Sequence, residues 1–201
     1  PAVITPTDAV RVPRLPGTLL VVGSGYMAVE LASIHAALGW KVTLASEHTG
    51  LIPTADPDIL RPLTRRLGEQ LEAVRTTIAI TQVEDRGDEL EITMVPPGKP
   101  ALTESFDAVI VAGRSTGNTS GLGLENTDVT TDDDGFIHVD ETLRTKDVRI
   151  HAVGDVTGEP LLACHALAQG RVVADVIAGR PAALDVRAVP SIVFSDPQVA
   201  W

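Results

Sequence analysis

Gly23-Ser24-Gly25-Tyr26-Met27-Ala28 has the spacing of a phosphate cradle. Gly23 permits a tight turn after a strand, and Gly25 lets backbone N–H groups approach a pyrophosphate. Ala28, in the third small position, lets the following helix pack close on its strand. The first turn of that helix then offers N–H groups and partial positive charge to the phosphates of a dinucleotide. Two other arrangements carry less. Cys164 and His165 put a thiol beside a base in sequence, but neighbours on a helix point apart, and no nucleophilic chemistry is assigned to them. Asp132, Asp134, Gly135 and Glu141 occupy the third, fifth, sixth and twelfth positions of a calcium loop. Thr130 at the first position and strand-like flanks make that stretch a solvated turn. His35, His48, His138 and His151 show no metal-ligand spacing and are assigned structural or exposed places.

The glycine motif needs a strand before it and a helix after it, and both are legible. Leu19–Val22 is a short apolar run, and Tyr26–Leu38 has helical spacing with Met27, Leu31, Ile34 and Leu38 on one face. Gly39 is placed to end that helix, and Lys41–Ala45 follows as a second strand, completing a right-handed βαβ unit. A helix opens at Asp56 as N-cap with Pro57 in the first position. Leu60, Leu63, Leu67 and Leu71 form its core stripe, and Pro62 should distort its early turns. Thr76–Thr81 is expected as a third strand, and Leu90, Ile92 and Met94 alternate as in a half-exposed one. The Pro96–Pro100 turn brings the chain back to a buried strand, Ala108–Val111. The first half therefore predicts βαβαβ plus an antiparallel meander, ending near Gly113. Beyond it, Phe136–Val139 and Arg149–Gly154 are expected as strands, the second buried. A last helix is expected from Ala163 to Ala178, with Ala163, Ala166 and Gly170 as a small-residue stripe. The proline-rich residues 1–17 are expected to be a connecting arm without an element of its own.

Composition narrows the classes. A formal charge of −11 on 201 residues opposes nucleic acid and anionic membrane as partners. No apolar run reaches the roughly 18 residues of a membrane span, and the N-terminus carries no signal-peptide pattern. The single cysteine excludes an internal disulfide and fits a reducing cytoplasm.

Several segments together resemble the dihydrolipoamide dehydrogenases of the pyridine-nucleotide-disulfide oxidoreductases. They are Thr7-Asp-Ala9, Gly23–Glu30, Ile52-Pro-Thr-Ala-Asp56, Val111-Ala-Gly-Arg114, Gly121-Leu-Gly-Leu-Glu125, Asp134–Asp140, Leu143-Arg-Thr145, Ala152-Val-Gly-Asp155 and Pro190–Pro197. The resemblance covers nearly the whole chain in the family's order. It implies an α/β, Rossmann-like three-layer domain with a β-meander, followed by a partial second domain of FAD type. The implied organisation is a connecting arm at 1–16, an NAD domain at 17–116, a resuming FAD segment at 117–185, and the start of an interface domain at 186–201. The first FAD segment with its redox cysteine pair, and the C-terminal His–Glu pair, would lie outside this chain, and the parent would be a homodimer.

Carried over by position, the resemblance places Gly23, Gly25, Met27 and Gly113 at NAD. Tyr26 matches the tyrosine that covers the flavin in related glutathione reductases. Glu30 matches a helix glutamate that pairs with a lysine beside the flavin, and Asp155 matches the aspartate on the FAD ribityl chain. Leu162 and Ala163 would face the flavin pyrimidine edge from a helix N-terminus. The ribose-binding acidic position becomes Ser46, and Glu47 stands where NADP-using relatives carry arginine. NAD is therefore expected over NADP, and Ser46→Glu is expected to tighten NADH binding. Ala28 in place of glycine, and Gly113-Arg-Ser-Thr-Gly-Asn-Thr119 in place of a shorter proline-containing signature, leave the disulfide substrate open between lipoamide and glutathione-type relatives. A free-standing nucleotide-binding module without catalysis is the alternative from another class.

Overall fold

A computed structural model describes residues 2–11 and 17–201. The chain divides into two compact units, Pro1–Gly113 with Ile192–Trp201, and Arg114–Ser191.

The first unit is built on a parallel sheet of five strands in the order β1-β8-β2-β3-β4. These are β1 (Ala2–Ile4), β2 (Thr18–Gly23), β3 (Lys41–Ala45), β4 (Ala73–Arg75) and β8 (Ala108–Ala112). A second, antiparallel sheet orders β5 (Ala79–Asp85), β6 (Leu90–Val95) and β7 (Leu102–Phe106). Alternation along β2 makes three layers from these pieces. Leu19 and Val21 face a core shared with helices α2 (Tyr26–Ala37) and α3 (Pro57–Gln70), whereas Leu20 and Val22 face the meander residues Ile92, Met94 and Phe106. The fold is thus α/β with a parallel sheet in Rossmann-like strand order, helices on one face and a meander on the other.

Four expectations change in this unit. The arm is not featureless: Ala2–Ile4 pairs in parallel with β8, and α1 (Pro6–Ala9) follows, its N-cap Thr5 accepting the Asp8 N–H. The prolines hide these elements, because Pro6 sits at a helix start where it costs nothing; Pro13 and Pro16 fall outside the described residues. The third parallel strand is Ala73–Arg75 rather than Thr76–Thr81. Three residues suffice to pair with β3, and the chain then turns through Thr77, at φ 57°, to reach the meander. The buried face of α2 is also rotated from the expected stripe. Ala28, Ala32 and His35 are buried, whereas Ile34 and Leu38 are about half exposed, because small residues mark where a helix comes closest to its sheet. Helix α3 runs on past Pro62 and buries Leu60, Leu63 and Leu67 as expected, but Asp56 caps it without a side-chain bond.

The second unit holds one long helix, α4 (Ala163–Ile177), and two short 3-10 turns, Leu124–Asn126 and Gly154–Thr157. The strands expected at Phe136–Val139 and Arg149–Gly154 reduce to single bridges, Thr131 with Ile137 and Arg144 with His151. Apolar alternation makes a strand only where a neighbour accepts its hydrogen bonds, and no ladder forms among the described residues of this unit. Its Val148, Leu167 and Ile177 stay exposed. Local polar bonds do the organising: buried Asp147 takes the Arg149 guanidinium at 2.8 Å. That side chain and the Arg149 N–H hold the Asp147 carboxyl down at about 2.

In the first unit Asp107 does the equivalent work, accepting from the Thr18 N–H at 2.7 Å and the Thr18 hydroxyl at 2.8 Å. These bonds hold the Asp107 carboxyl below its usual range. A carboxylate with a lowered folded pKa contributes stability that is complete above its unfolded value, about 3.9, and lost as pH falls through the folded value. Thermal melts taken from pH 6 to pH 2 should therefore drop below about pH 4. For Asp107→Asn and for Asp147→Asn, expected to start less stable at pH 6, that acid limb should be shallower than in the unmodified chain.

Candidate functional site

The C-terminal edge of the parallel sheet gathers most of the candidate residues. Register places Gly23 opposite Ala112 and Val22 opposite Ala45, so the ends of β8, β2 and β3 lie side by side. Gly113, Gly25 and the Ser46–Glu47 pair follow directly from those three ends. Ligands of open parallel sheets bind at this edge.

The two motif glycines do different jobs there. Gly23, at φ 145°, lies so near β8 that an added Cβ would sit 2.2 Å from the Ala112 carbonyl oxygen. Gly25, at φ 88°, is the N-cap of α2 and an added Cβ would meet nothing within 4 Å. Its own N–H is taken by Leu51 O at 2.7 Å, which sets the turn. The N-cap Gly25 makes no side-chain cap bond and the first turn of α2 holds no acidic residue, so the positive end of the helix dipole lies beside the open position at Gly25, as an anion site requires. Ala28, fully buried, brings the helix close to the sheet in its expected role. Tyr26 and Met27 open the helix and pack partly against the core.

Ser46 and Glu47 also separate. Ser46 is only 2 % exposed, and its hydroxyl accepts the His48 N–H at 3.1 Å. Its backbone binds both Arg75 O and the Ile78 N–H, fixing the crossing from β4 to β5. Glu47 is exposed and borders a groove of about 480 Å³. Arg75, the nearest arginine in register, gives its guanidinium to Glu104 at 2.5 Å. Glu30 has a partner within the chain: its carboxylate accepts the Phe194 N–H at 2.8 Å. That bond and the Arg66–Asp196 ion pair, at 3.0 Å, hold β9 (Ile192–Val193) and β10 (Val199–Ala200) on the first unit.

In the second unit, Asp155 lies exposed in the Gly154–Thr157 turn, and Leu162 and Ala163 begin α4, again without a side-chain cap. Sequence reasoning missed the residue that positions this turn. Gln169, buried one and a half turns into α4, accepts the Gly154 N–H at 2.5 Å and donates to the Thr157 hydroxyl at 3.1 Å. A lone glutamine gives no motif; a polar residue at a core-facing helical position was the available signal. Gln169→Ala should cost about 1–2 kcal/mol and speed amide exchange at Gly154, and unchanged exchange there would show that the turn stands without it. Cys164 and His165 diverge as expected of helix neighbours: Cys164 Sγ donates to Pro190 O at 3.3 Å, and His165 Nε2 meets Gln169 Nε2 at 3.2 Å. Asp132 accepts the N–H groups of Asp134 and Phe136, and Asp134 pairs with Arg114. Among the described residues no three His, Cys, Asp or Glu gather as a metal site, and no helix is long and apolar enough to cross a membrane.

An uncapped helix behind a glycine turn, at the carboxyl edge of a Rossmann-ordered parallel sheet, defines the class of α/β proteins built around that edge. Residues 2–170 match the family model for pyridine nucleotide-disulphide oxidoreductases, and the chain belongs to that family of oxidoreductases. It is 35% identical over 201 residues to a dihydrolipoyl dehydrogenase of Vibrio cholerae, and 34% identical over 202 residues to one of Haemophilus influenzae. It spans 42% of the length of each of these relatives. Among solved structures, LpdA from Mycobacterium tuberculosis superposes with a TM-score of 0.80 at 29% identity, over 94% of this chain and 41% of that one. The HOCl-induced flavoprotein disulfide reductase RclA from Escherichia coli gives 0.86 at 27% identity, over 100% of this chain and 45% of that one.

Proposed function

We propose that this chain is the central part of an FAD-dependent dithiol–disulfide oxidoreductase of dihydrolipoyl dehydrogenase type, and that its first unit binds NAD(H). The observation that carries the reading is the open space in front of Gly25, beneath the uncapped start of α2. Room at Gly25 among the described residues, at the start of a helix whose N-cap makes no side-chain bond, fits a pyrophosphate. Gly25 leaves room for the phosphates before the positive end of α2, Gly113 leaves the adjoining edge clear, and Glu47 accepts from the adenosine ribose. Bound there, the nicotinamide supplies a hydride acceptor and donor, and FAD in the parent enzyme links it to the dithiol. In the second unit, Asp155 and the amides beginning α4 at Leu162 and Ala163 would hold part of that FAD. The remaining flavin contacts, the redox cysteines and the acid–base residues would come from the parent chain, a homodimer in a reducing cytoplasm.

Calorimetric titration of the 201-residue chain tests the reading: NADH should bind, and no heat with NADH would overturn it. The purified chain should be colourless and should not turn over dihydrolipoamide. A thiol–disulfide exchange needs two sulfurs within bonding distance, and Cys164 stands alone in this sequence. Stoichiometric bound flavin would refute the first expectation.

A further inference from the structure

The groove beside Glu47 has a wall that the glycine motif does not account for. It is lined by Thr77–Ala79 at the crossing between the two sheets and by the turn Pro96-Pro97-Gly98-Lys99, which joins β6 to β7. Its volume is about 480 Å³. Parallel pairing of β2 with β3 puts this groove on the same sheet edge as Gly25, one strand further along. In the proposed site, a dinucleotide with its pyrophosphate over Gly25 and its adenosine directed past the end of β3 would reach it. Ile78, Val95 and the two prolines give apolar surface for a base, and Gly98, at φ 67°, turns the hairpin so that Lys99 faces the groove with Glu47.

Two opposite charges therefore border one small groove in a chain that is otherwise strongly acidic. Glu47 accepts from ribose hydroxyls and repels a 2′-phosphate. An ammonium does the reverse: it gains only a bond to a neutral acceptor from a hydroxyl, and it attracts a phosphate more strongly. We propose that Lys99, from the β6–β7 turn, is a second selectivity residue for the adenosine end of the cofactor, and that it limits the discrimination Glu47 makes against a 2′-phosphate. This rests on the NAD-binding reading above. The turn has no part in the phosphate cradle, so Lys99 acts on the nucleotide's 2′ substituent and leaves pyrophosphate binding alone.

The probes are 5′-ADP and 2′,5′-ADP, titrated into the unmodified chain, Lys99→Ala and Lys99→Arg. Lys99→Ala should weaken 2′,5′-ADP about fivefold, the size of a solvent-exposed charge pair, and leave 5′-ADP within about twofold. Lys99→Arg should keep the affinity for 2′,5′-ADP, and the gap between the unmodified chain and Lys99→Ala should shrink in high salt. If both nucleotides bind the unmodified chain and Lys99→Ala changes them equally, or changes neither, the role of Lys99 is overturned while the NAD site stands. If the unmodified chain binds neither 5′-ADP nor NADH, the NAD site falls and this inference with it.

Discussion

Gly23→Ala should unfold or severely destabilise the first unit, whereas Gly25→Ala should leave it folded and remove its affinity for NADH. The two positions are two residues apart in one motif, yet they meet different surroundings. At Gly23 a methyl group would lie 2.2 Å from the Ala112 carbonyl oxygen, a backbone atom in the strand that pairs with it. Either β2 or β8 must move, and the central pair of the sheet is broken. Overpacking combined with strain at φ 145° should cost about 3 kcal/mol or more, a large share of the roughly 5–15 kcal/mol that holds a domain together. At Gly25 the same methyl meets no protein atom within 4 Å. The cost is the backbone conformation alone, φ 88° with ψ −177°, a region almost confined to glycine, about 1–3 kcal/mol, and a melting point lowered by several degrees. The methyl then occupies the space over the α2 amides. Losing one or two hydrogen bonds to a charged phosphate, at about 1.5–3 kcal/mol each, should reduce NADH affinity on the order of 100-fold. Melting curves and NADH titrations of both variants decide it: a stable Gly23→Ala, or a Gly25→Ala chain with unaltered NADH affinity, would show that the roles are misassigned.

The same glycine motif shows why part of this molecule could be read from its sequence. The strand β2, the start of α2, β3 and the leucine stripe of α3 all lie where local spacing puts them. Their partners are close in the chain, or they supply a whole apolar face. What failed depends on partners distant in sequence. β1 forms only because β8, more than a hundred residues later, pairs with it. The rotation of α2 depends on which small residues touch the sheet, a matter of approach distance that hydrophobicity does not encode. The reverse error occurs at 136–139 and 149–154, where alternation is good but no ladder forms among the described residues. The sequence and the resemblance assigned Gly23 and Gly25, and Ser46 and Glu47, separate roles, but the close approach of β8 to Gly23 and the burial of Ser46 became visible only in the fold. Gln169 and Lys99 carry no motif: Gln169 bonds a turn twelve to fifteen residues earlier in the chain, and Lys99 sits in the β6–β7 turn, which comes beside Glu47 only in the folded chain.

In the proposed NAD site, the separation of Ser46 from Glu47 sets the expected choice of cofactor. An acidic residue at the end of the second strand accepts from the adenosine 2′-hydroxyl, and a basic one there accommodates a 2′-phosphate. Ser46 is buried, with its oxygen already accepting the His48 N–H. Ser46→Glu would place a carboxylate in that buried turn, and its first effect should be lost stability rather than the tighter NADH binding expected from sequence. Glu47 is exposed at the groove, so in the proposed site it, rather than Ser46, meets the ribose. Arg75, paired in register with Ala45, has its charge balanced by an ion pair of one guanidinium nitrogen with Glu104. Glu47→Arg removes a repulsion and adds a planar donor suited to phosphate. One such charge-assisted contact is worth about 1.5–3 kcal/mol, so the ratio of NADPH to NADH affinity should rise about 10- to 150-fold. Glu47→Gln, which removes only the repulsion, should give a smaller rise in the same direction. Parallel titrations with both nucleotides check this, and the idea fails if the unmodified chain already prefers NADPH or if Glu47→Arg leaves the ratio where it was.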